Sequence, residues 1–154
     1  MNFQIRLATQ SDIGKLSKIA HTAYAKYRAR MDRDPAPMHA DFATHITNDI
    51  VFVAFNEQAT VCGFVVLINE QDGWLLDNIA VNPDITRSGI GTKLLRHCEA
   101  YLKGLNVVTY QLYTNVVMRE ALSWYLSLGF VETGRRVEDG FHRVYLERSL
   151  NEKE

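Results

Sequence analysis

Seven stretches of the chain have the apolar pattern of β-strands. Phe3, Ile5 and Leu7 alternate with polar residues, as expected for a strand with one buried face. The other stretches are short apolar runs bounded by turn residues, and the pair Asp139-Gly140 between the last two is a strong hairpin signal. These runs are residues 51–55, 61–68, 74–81, 107–113, 130–137 and 141–148.

Four further stretches have apolar residues at helical spacing. Ser11 and Asp12 are placed to cap the first helix, and Gly104 and Gly129 are placed to end the last two. The short second helix follows residues 34–37, where two prolines interrupt the pattern. The four apolar stripes are Ile13, Leu16, Ile19, Ala20 and Ala23; Met38, Phe42 and Ile46; Ile90, Leu94, Cys98 and Tyr101; and Met118, Ala121, Leu122, Tyr125 and Leu128.

The order of these elements, β-α-α-β-β-β-α-β-α-β-β, predicts the fold class. Hairpins mixed with crossover helices are typical of an α/β fold whose sheet is mixed, as in α+β proteins. We expect about seven strands in this sheet and four helices on its faces. The length of 154 residues suits one domain, which we assign to residues 1–154.

Composition and charge narrow the classes of function. Hydrophobic residues make up 47% and charged residues 23%, and the net charge is -1, so we expect neither a nucleic acid nor an anionic membrane as partner. No apolar run approaches the roughly 20 residues of a membrane span and the N-terminus lacks a signal-peptide pattern, so we expect a cytoplasmic location. Cys62 and Cys98 lie in apolar runs without metal-ligand spacing, which favours buried thiols and no metal site.

The segment between the fourth strand and the third helix has the features of an anion site. Gly89 and Gly91 let a ligand approach the main chain, and the free N–H groups at the start of the helix favour negative charge. Arg87 adds a cation. Because donors lie all along the loop from Thr86 to Gly91, a pyrophosphate fits it well. A glycine-rich helix start that binds nothing is the alternative at this point.

Two other nucleotide-binding motifs fit this segment poorly. A dinucleotide fingerprint requires a third Gly or Ala where Leu94 stands, and a tight turn directly after the strand, whereas Gly89 lies eight positions after Val81. A P-loop requires Gly-Lys-Ser/Thr, which the segment lacks.

Two separated segments together resemble the signatures of the GCN5-related N-acetyltransferases, the GNAT family. Residues 76–83 (LDNIAVNP) with residues 87–91 (RSGIG) resemble the acetyl-CoA-binding core, whose loop has the pattern Arg/Gln-x-x-Gly-x-Gly/Ala. Asn115 followed by residues 121–130 (ALSWYLSLGF) resembles the second signature, a helix ending in Tyr-x-x-x-Gly-Phe. The resemblance covers nearly the whole chain. Thr86 departs from it, because the family has Arg or Gln there, so we expect the main chain of the loop to carry the binding.

The resemblance implies direct transfer of an acetyl group from acetyl-CoA, as co-substrate, to an amine. It also implies that the fourth and fifth strands splay apart, that the pantetheine arm lies in the gap, and that the glycine loop holds the pyrophosphate. The residues that it assigns to the cofactor are Ile79, Ala80, Val81, Arg87, Ser88, Gly89, Ile90, Gly91, Thr92, Asn115 and Tyr125.

Acetyl transfer to an amine requires a base and an acid. An amine attacks only when neutral, and its pKa of about 10.4 means that a base must accept its proton, while a phenol with a pKa near 10 can protonate a departing thiolate. Tyr125 is the candidate acid, because the resemblance puts its hydroxyl beside the thioester sulfur. Asp77 is the candidate base, acting directly or through water. Strand alternation predicts that it shares a face with Ile79 and Val81, where an unpaired carboxylate costs free energy.

Purely structural roles are the alternatives for both residues. Tyr125 then packs in the core with its hydroxyl on a main-chain group, and Asp77 pairs with an arginine or a main-chain N–H.

The acceptor pocket of the family lies between the region joining the first two helices and the last hairpin, which correspond to residues 24–41 and 136–143. Tyr24, Tyr27 and Met31 recur at helical spacing and are candidate acceptor contacts, as is His142 on the last strand. The sequence has no charged groove for a polymer, so a small-molecule amine is the first choice. A protein or peptide amine stays open, as does a sensor that binds acyl-CoA without efficient catalysis. The edge of the last hairpin allows a homodimer.

Overall fold

The computed structural model describes residues 2–85 and 89–151. Seven strands in these residues form one sheet in the order β1-β2-β3-β4-β5-β7-β6, and neighbouring strands are antiparallel except for the parallel pair β4 and β5. The predicted mixed sheet is confirmed. The strands are β1 (Gln4–Leu7), β2 (Ile50–Phe55), β3 (Val61–Glu70), β4 (Gly73–Val81), β5 (Thr109–Asn115), β6 (Val131–Glu138) and β7 (Phe141–Ser149).

Four α-helices in the described residues cover the two faces of the sheet. Their order confirms the predicted succession of elements, and none of them has the length and hydropathy of a membrane-spanning segment. The helices are α1 (Ile13–Tyr24), α2 (Phe42–Asn48), α3 (Ile90–Gly104) and α4 (Arg119–Ser127), and the shorter 3-10 segments are Gln10–Asp12, Ala25–Arg30, Ala36–His39 and Pro83–Ile85.

Each face of the sheet has its own apolar core, because each helix buries one stripe against the strands. Leu94 and Cys98 of α3 are fully buried with Tyr125 of α4 in one core. Leu16 of α1 and Phe42 of α2 are buried in the other. The helix pairs α3/α4 and α1/α2 therefore lie on opposite faces of the sheet.

The ends of the two helices on the first face differ from each other. Gly129 ends α4 as predicted: it has a φ of 101°, and the N–H of Phe130 bonds to the carbonyl of Tyr125. α3 also ends at Gly104, as predicted, but Gly104 is itself helical, and the left-handed residue of this cap is Asn106, with a φ of 62°.

The end of α3 also changes the start of β5. The N–H of Val107 bonds to the carbonyl of Leu102 at 3.0 Å, so Val107 belongs to the helix cap and the strand begins at Thr109 rather than at residue 107.

The predicted helix caps on the second face also need correction. Asp12 occupies the N-cap position of α1, but its carboxylate accepts from the main-chain N–H of Thr9 and from Arg6 and makes no cap hydrogen bond to α1. The stripe from Met38 to Ile46 is not one helix, because Asp41 caps a new one by accepting from the N–H of Thr44 at 3.2 Å.

The hairpin of β6 and β7 confirms the prediction from Asp139-Gly140. Their φ angles are 52° and 81°, the left-handed pair that a two-residue hairpin turn requires.

Candidate active site

The pairing of β4 with β5 stops after two residue pairs. Leu75 pairs with Gln111 and Leu76 with Leu112, and beyond them the strands continue to Val81 and Asn115 without pairing to each other. We call the opening between residues 77–81 and residues 113–115 the β4–β5 cleft. Its main-chain groups are not bonded across the opening, so an extended ligand can bind to them. The splay that the resemblance implied is present.

A cavity of about 440 Å³ occupies the cleft. It brings together most of the residues singled out from the sequence, whereas His142 is exposed on β7 and does not line it. The predicted residues that line it are Tyr24, Tyr27, Met31, Asp77, Ile79, Ala80, Val81, Asn115 and Tyr125.

The start of α3 lies beside one end of the cavity. Gly89 is the N-cap residue of α3, with a φ of 80° that favours glycine. Among the described residues, no side chain accepts a capping hydrogen bond from the first N–H groups of α3. A Cβ on Gly91 would lie 3.3 Å from the Trp124 ring and 3.8 Å from Val81, so this glycine serves helix packing as well as access to the main chain. Ile90 is buried and Thr92 half-buried. Thr86, Arg87 and Ser88 lie outside the described residues.

Tyr125 projects from α4 into the cavity. The residue is 7% exposed, and burial raises the pKa of its phenol above the usual value. Its ring packs on Phe130 with centroids 5.5 Å apart, while its hydroxyl makes no hydrogen bond within the described part of the chain. A buried hydroxyl that opens on a cavity without a protein partner is available to donate a hydrogen bond to a ligand.

Tyr24 reaches the same cavity from the opposite face of the sheet. Its hydroxyl lies 2.8 Å from the Asn78 side-chain oxygen and 2.9 Å from the Ile79 carbonyl, so it donates to either acceptor. The Asn78 amide donates to the carbonyl of Pro37 at 3.2 Å. This chain of bonds ties the end of α1 and the loop after it to β4 and holds one wall of the cavity in place.

A β-bulge in β4 controls the direction of Asp77. Asn78 pairs with Val66 and Leu76 with Leu67, which leaves Asp77 as the extra residue. Ile79 packs toward the α3 core, whereas the Asp77 carboxylate faces α2 on the other side of the sheet. The prediction that Asp77 shares a face with Ile79 and Val81 is therefore wrong, because alternation does not continue through a bulge.

Asp77 forms a line of three titratable groups with two residues of the α2 region. Nδ1 of His45 lies 2.8 Å from Oδ2 of Asp49, and Nε2 lies 3.7 Å from Oδ2 of Asp77. Burial raises the pKa of the Asp77 carboxyl above its usual value, while the nearby His45 and Arg143 oppose that shift. The hydrogen bond to Asp49 orients the His45 ring with its other nitrogen toward Asp77 and the cavity.

Arg143 of β7 brings a cation to the same wall. Its side chain is 15% exposed, and its guanidinium lies 4.4 Å from the centre of the Tyr113 ring and 5.5 Å from that of Phe141. Burial, followed by the charge of Asp77, raises the pKa of the Tyr113 phenol. Asn115, opposite Arg143 in the β5–β7 ladder, accepts a bond from the N–H of Val117 and keeps its amide donors for the cavity.

Sequence reasoning missed Asn78, His45, Tyr113 and Arg143. The sequence does contain a signal for Asn78. Asp77 and Asn78 are adjacent polar residues in an otherwise apolar strand, and this pattern is typical of a β-bulge. The other residues have no local signal, since they reach the cavity only through the pairing of β7 with β5 and the packing of α2.

Residues 24–41 cross the open end of the cleft and are held on both sides. Arg30 makes a two-pronged ion pair with Glu120 of α4, at 2.6 and 2.7 Å. Arg33 lies 4.2 Å from the centre of the Phe141 ring in the β6–β7 hairpin. We call this segment the strap.

Solved structures of acetyltransferases share this fold. The ribosomal-protein-S18-alanine N-acetyltransferase from Escherichia coli matches 99% of this chain and 97% of its own, with a TM-score of 0.77 and 22% identity. The PaiA N-acetyltransferase from Thermoplasma acidophilum, in complex with coenzyme A, matches 97% of this chain and 99% of its own, with a TM-score of 0.77 and 19% identity. At such identities the likeness shows the fold alone.

Sequence relatives match part of the chain. The protein named Probable N-acetyltransferase 14, from Xenopus tropicalis, is 33% identical over 86 residues, which are 54% of this chain and 42% of that protein. The peptidyl-lysine N-acetyltransferase YjaB of Salmonella typhimurium is 28% identical over 95 residues, 62% of this chain and 59% of that protein. The match therefore spans about half the length of these relatives.

A family match settles the assignment. Residues 47–132 match the acetyltransferase (GNAT) domain family, and they make up more than half of the 154 residues. They include the whole of β4, the start of α3 and all of α4 with Tyr125. The chain belongs to the GNAT acetyltransferase family.

Proposed function

We propose that this chain transfers an acetyl group from acetyl-CoA to the amine of a small molecule, by direct attack while both substrates are bound in the β4–β5 cleft. The observation that carries the proposal is the convergence of two groups on one cavity. The unpartnered hydroxyl of Tyr125 enters it from the α4 side of the sheet, and the carboxylate of Asp77 lies on the α2 side.

The residues around the cleft fit acetyl-CoA. Unpaired strand edges at Ile79, Ala80 and Val81 suit the amide groups of a pantetheine arm, and the Asn115 amide lies opposite them. The free N–H groups that begin the long helix α3 suit the pyrophosphate, together with Arg87 and Ser88 of the preceding loop. When bound, acetyl-CoA supplies the activated acetyl group.

Asp77 serves as the base in this proposal. The amine nitrogen forms a bond to the thioester carbon, the carbon–sulfur bond breaks, and a proton of the amine passes to the Asp77 carboxylate directly or through a water molecule. The raised pKa of Asp77 makes its carboxylate a stronger base than an exposed aspartate. His45, oriented by Asp49, lies beside Asp77 and can accept that proton from it.

Tyr125 serves as the acid. Its pKa above the usual 10 keeps the hydroxyl protonated at neutral pH, so it can hydrogen bond to the departing sulfur and protonate it. The cavity around it is lined largely by aromatic and aliphatic side chains, which strengthens a hydrogen bond to developing negative charge.

The strap supports a small acceptor rather than a polymer. The Arg30–Glu120 ion pair and the contact of Arg33 with Phe141 bridge the open end of the cleft from two sides. A small amine fits beneath such a bridge, whereas a folded protein surface needs it to open.

A thiol-release assay over a panel of amines tests the function. The panel contains small aliphatic and aromatic amines, free amino acids, a peptide with a free N-terminus and a lysine peptide blocked at its N-terminus. We expect thiol release with small amines and thermal stabilisation by acetyl-CoA, since excess ligand stabilises by RT ln(1 + [L]/Kd).

Each other outcome has a defined meaning. Stabilisation by acetyl-CoA without thiol release from any amine overturns the enzyme in favour of an acyl-CoA sensor. Preference for either peptide overturns the small-molecule acceptor. Absence of both stabilisation and thiol release overturns the proposal as a whole.

A further inference from the structure

Arg143 is a largely buried cation that uses little of its hydrogen-bonding capacity. A guanidinium has five N–H donors. Among the described residues, Arg143 donates one hydrogen bond, from Nη1 to Oε1 of Glu138. Its length of 3.5 Å is at the limit of a hydrogen bond. That carboxylate oxygen also accepts the hydroxyl of Tyr145. The remaining N–H donors of Arg143 are accessible rather than fully buried, and the side chain lines the cavity.

Two aromatic rings hold this guanidinium at the wall of the cavity. It lies 4.4 Å from the ring centre of Tyr113 and 5.5 Å from that of Phe141. A ring face supplies no carbonyl or carboxylate acceptor, so these contacts leave the N–H fork of Arg143 for a ligand, and such a fork matches the two oxygens of a carboxylate.

The cavity therefore has separate sites for opposite charges. Asp77 and His45 provide the negative and proton-accepting side, and Arg143 provides the positive side close enough to influence the Asp77 carboxyl. Lys26 is the other permanent cation that the described residues contribute to the lining, but it is exposed and lies 5.1 Å over the Tyr27 ring.

We propose that Arg143 forms a carboxylate-binding subsite, and that the acceptor is a small amine of the amino-acid class, with its amine at Asp77 and its carboxylate on Arg143. This inference rests on the proposed function, because it names the acceptor of the same cavity. Phe141 and Met31, which also line the cavity, then contact the apolar part of the acceptor.

The test compares acceptors that differ only in the carboxylate. Each apolar or aromatic amino acid is paired with its decarboxylated amine and with its amide, and kcat/KM is measured for all of them with the wild type, Arg143→Gln and Arg143→Lys. Because the carboxylate also changes the pKa of the amine, the decisive quantity is the change in the ratio of kcat/KM upon substitution, not the ratio itself.

We expect Arg143→Gln to reduce the amino-acid-to-amine ratio by about 10- to 100-fold, the range for losing a charged hydrogen-bonded pair. Arg143→Lys keeps the charge but loses the two-pronged donor, so its amino-acid-to-amine ratio should lie between those of the wild type and Arg143→Gln. This variant also tests the subsite if Arg143→Gln folds poorly. Arg136→Gln is the matched control. Arg136 pairs with Arg143 across β6 and β7 and stacks on Tyr145 at 4.6 Å outside the cavity, so its loss should leave the ratio unchanged.

Two results overturn the subsite. One is a ratio that Arg143→Gln does not change, which leaves Arg143 only a counter-ion to Asp77. The other is a peptide amine that outperforms every free amino acid.

Binding separates failure of the subsite from failure of the proposed function. Thermal stabilisation by amino acids in the presence of saturating coenzyme A, absent with the decarboxylated amines and lost in Arg143→Gln, supports the subsite even if no amine releases thiol. No stabilisation by any amino acid, together with no turnover of them, overturns it.

Discussion

At the scale of single residues, two tyrosines of the cleft differ in what their hydroxyls contact. The hydroxyl of Tyr24 is held by Asn78 and Ile79, whereas that of Tyr125 has no partner in the described part of the chain. Both phenols have raised pKa values because of burial, and their mutual proximity contributes to that of Tyr24. The contact environment therefore assigns Tyr24 to the wall of the site and leaves Tyr125 available for chemistry.

Replacing Tyr125 tests this difference. We expect Tyr125→Phe to lower kcat by about 100-fold, within the usual range for loss of a general acid, while stabilisation by acetyl-CoA stays near the wild-type value. Tyr101→Phe is the control, because Tyr101 packs on Phe52 and Trp74 on the outer part of α3, away from the cavity. An unchanged kcat in Tyr125→Phe would remove the acid from the mechanism.

Substitution of Asp77 should have opposite effects on activity and on stability. Burial raises its folded-state pKa, so folding favours the protonated form, and the ionised carboxylate costs stability once the pH is above its unfolded value near 3.9. Asp77→Asn should therefore lower kcat/KM by about 100-fold and raise the melting temperature at pH 7. The gain in melting temperature should disappear as the pH falls below the unfolded pKa, which thermal unfolding at several pH values measures. A melting temperature that falls at pH 7 would contradict this account.

At the scale of elements, two glycines with the same predicted role have different conformations. Gly129 has a φ of 101° and caps α4, whereas Gly104 is the last helical residue of α3 and Asn106 is the left-handed residue of its cap. Sequence alone favoured glycine over asparagine as the helix end, because glycine has no steric penalty there. Two main-chain bonds close this cap, from the N–H of Val107 to the carbonyl of Leu102 and from the N–H of Asn106 to that of Lys103.

Alanine substitution distinguishes these two glycines. Gly129→Ala should destabilise the protein by about 1–3 kcal/mol, because the residue has a positive φ and a Cβ there would meet the guanidinium of Arg148. Gly104→Ala should stabilise it by about 0.5–1 kcal/mol, since the described residues, apart from its chain neighbours and its own helix backbone, place no atom within 4 Å of its Cβ position, and alanine favours the helix. Urea unfolding of both variants measures the pair. Destabilisation by Gly104→Ala would mean that this residue, too, needs a left-handed conformation.

At the scale of the whole molecule, one buried carboxylate joins α3 to the sheet. Glu99 of α3 is 3% exposed and accepts from Tyr110 of β5 at 2.7 Å, from Arg148 of β7 at 2.9 Å and from Arg96 at 2.6 Å. The network therefore holds α3 against β5 and β7, beside the residues where β4 and β5 still pair.

Glu99→Gln should lower the free energy of unfolding at pH 7 by about 3 kcal/mol, as expected when one partner of a buried ion pair is removed. Burial opposes ionisation of Glu99, but its three hydrogen bonds and the charge of Arg148 leave the folded-state pKa below the usual value. Its contribution is therefore present above the unfolded pKa of about 4.3 and is lost as the pH falls through the lower folded pKa. Urea unfolding between pH 7 and pH 3 should show the difference from wild type shrinking with acidity.

Glu132→Gln is the matched control for Glu99→Gln. Within the part of the chain that the structure describes, Glu132 pairs only with Arg135, on the exposed strand β6, and an exposed pair contributes little. Equal losses of stability in the two variants would mean that the buried network is not special.

Four features could be predicted from the amino-acid sequence: the order of elements, the hairpin at Asp139-Gly140, the end of α4 at Gly129 and the family signatures around the cleft. They depend on local backbone preferences, on the periods of apolar residues and on contiguous motifs, all of which are readable without the fold. The direction of Asp77, the line from Asp77 through His45 to Asp49, and the place of Arg143 beside them became visible in the folded chain alone. The bulge is a mismatch between β3 and β4, and His45 and Arg143 lie far from Asp77 along the chain, so their meeting depends on strand register and helix packing, which no local pattern encodes.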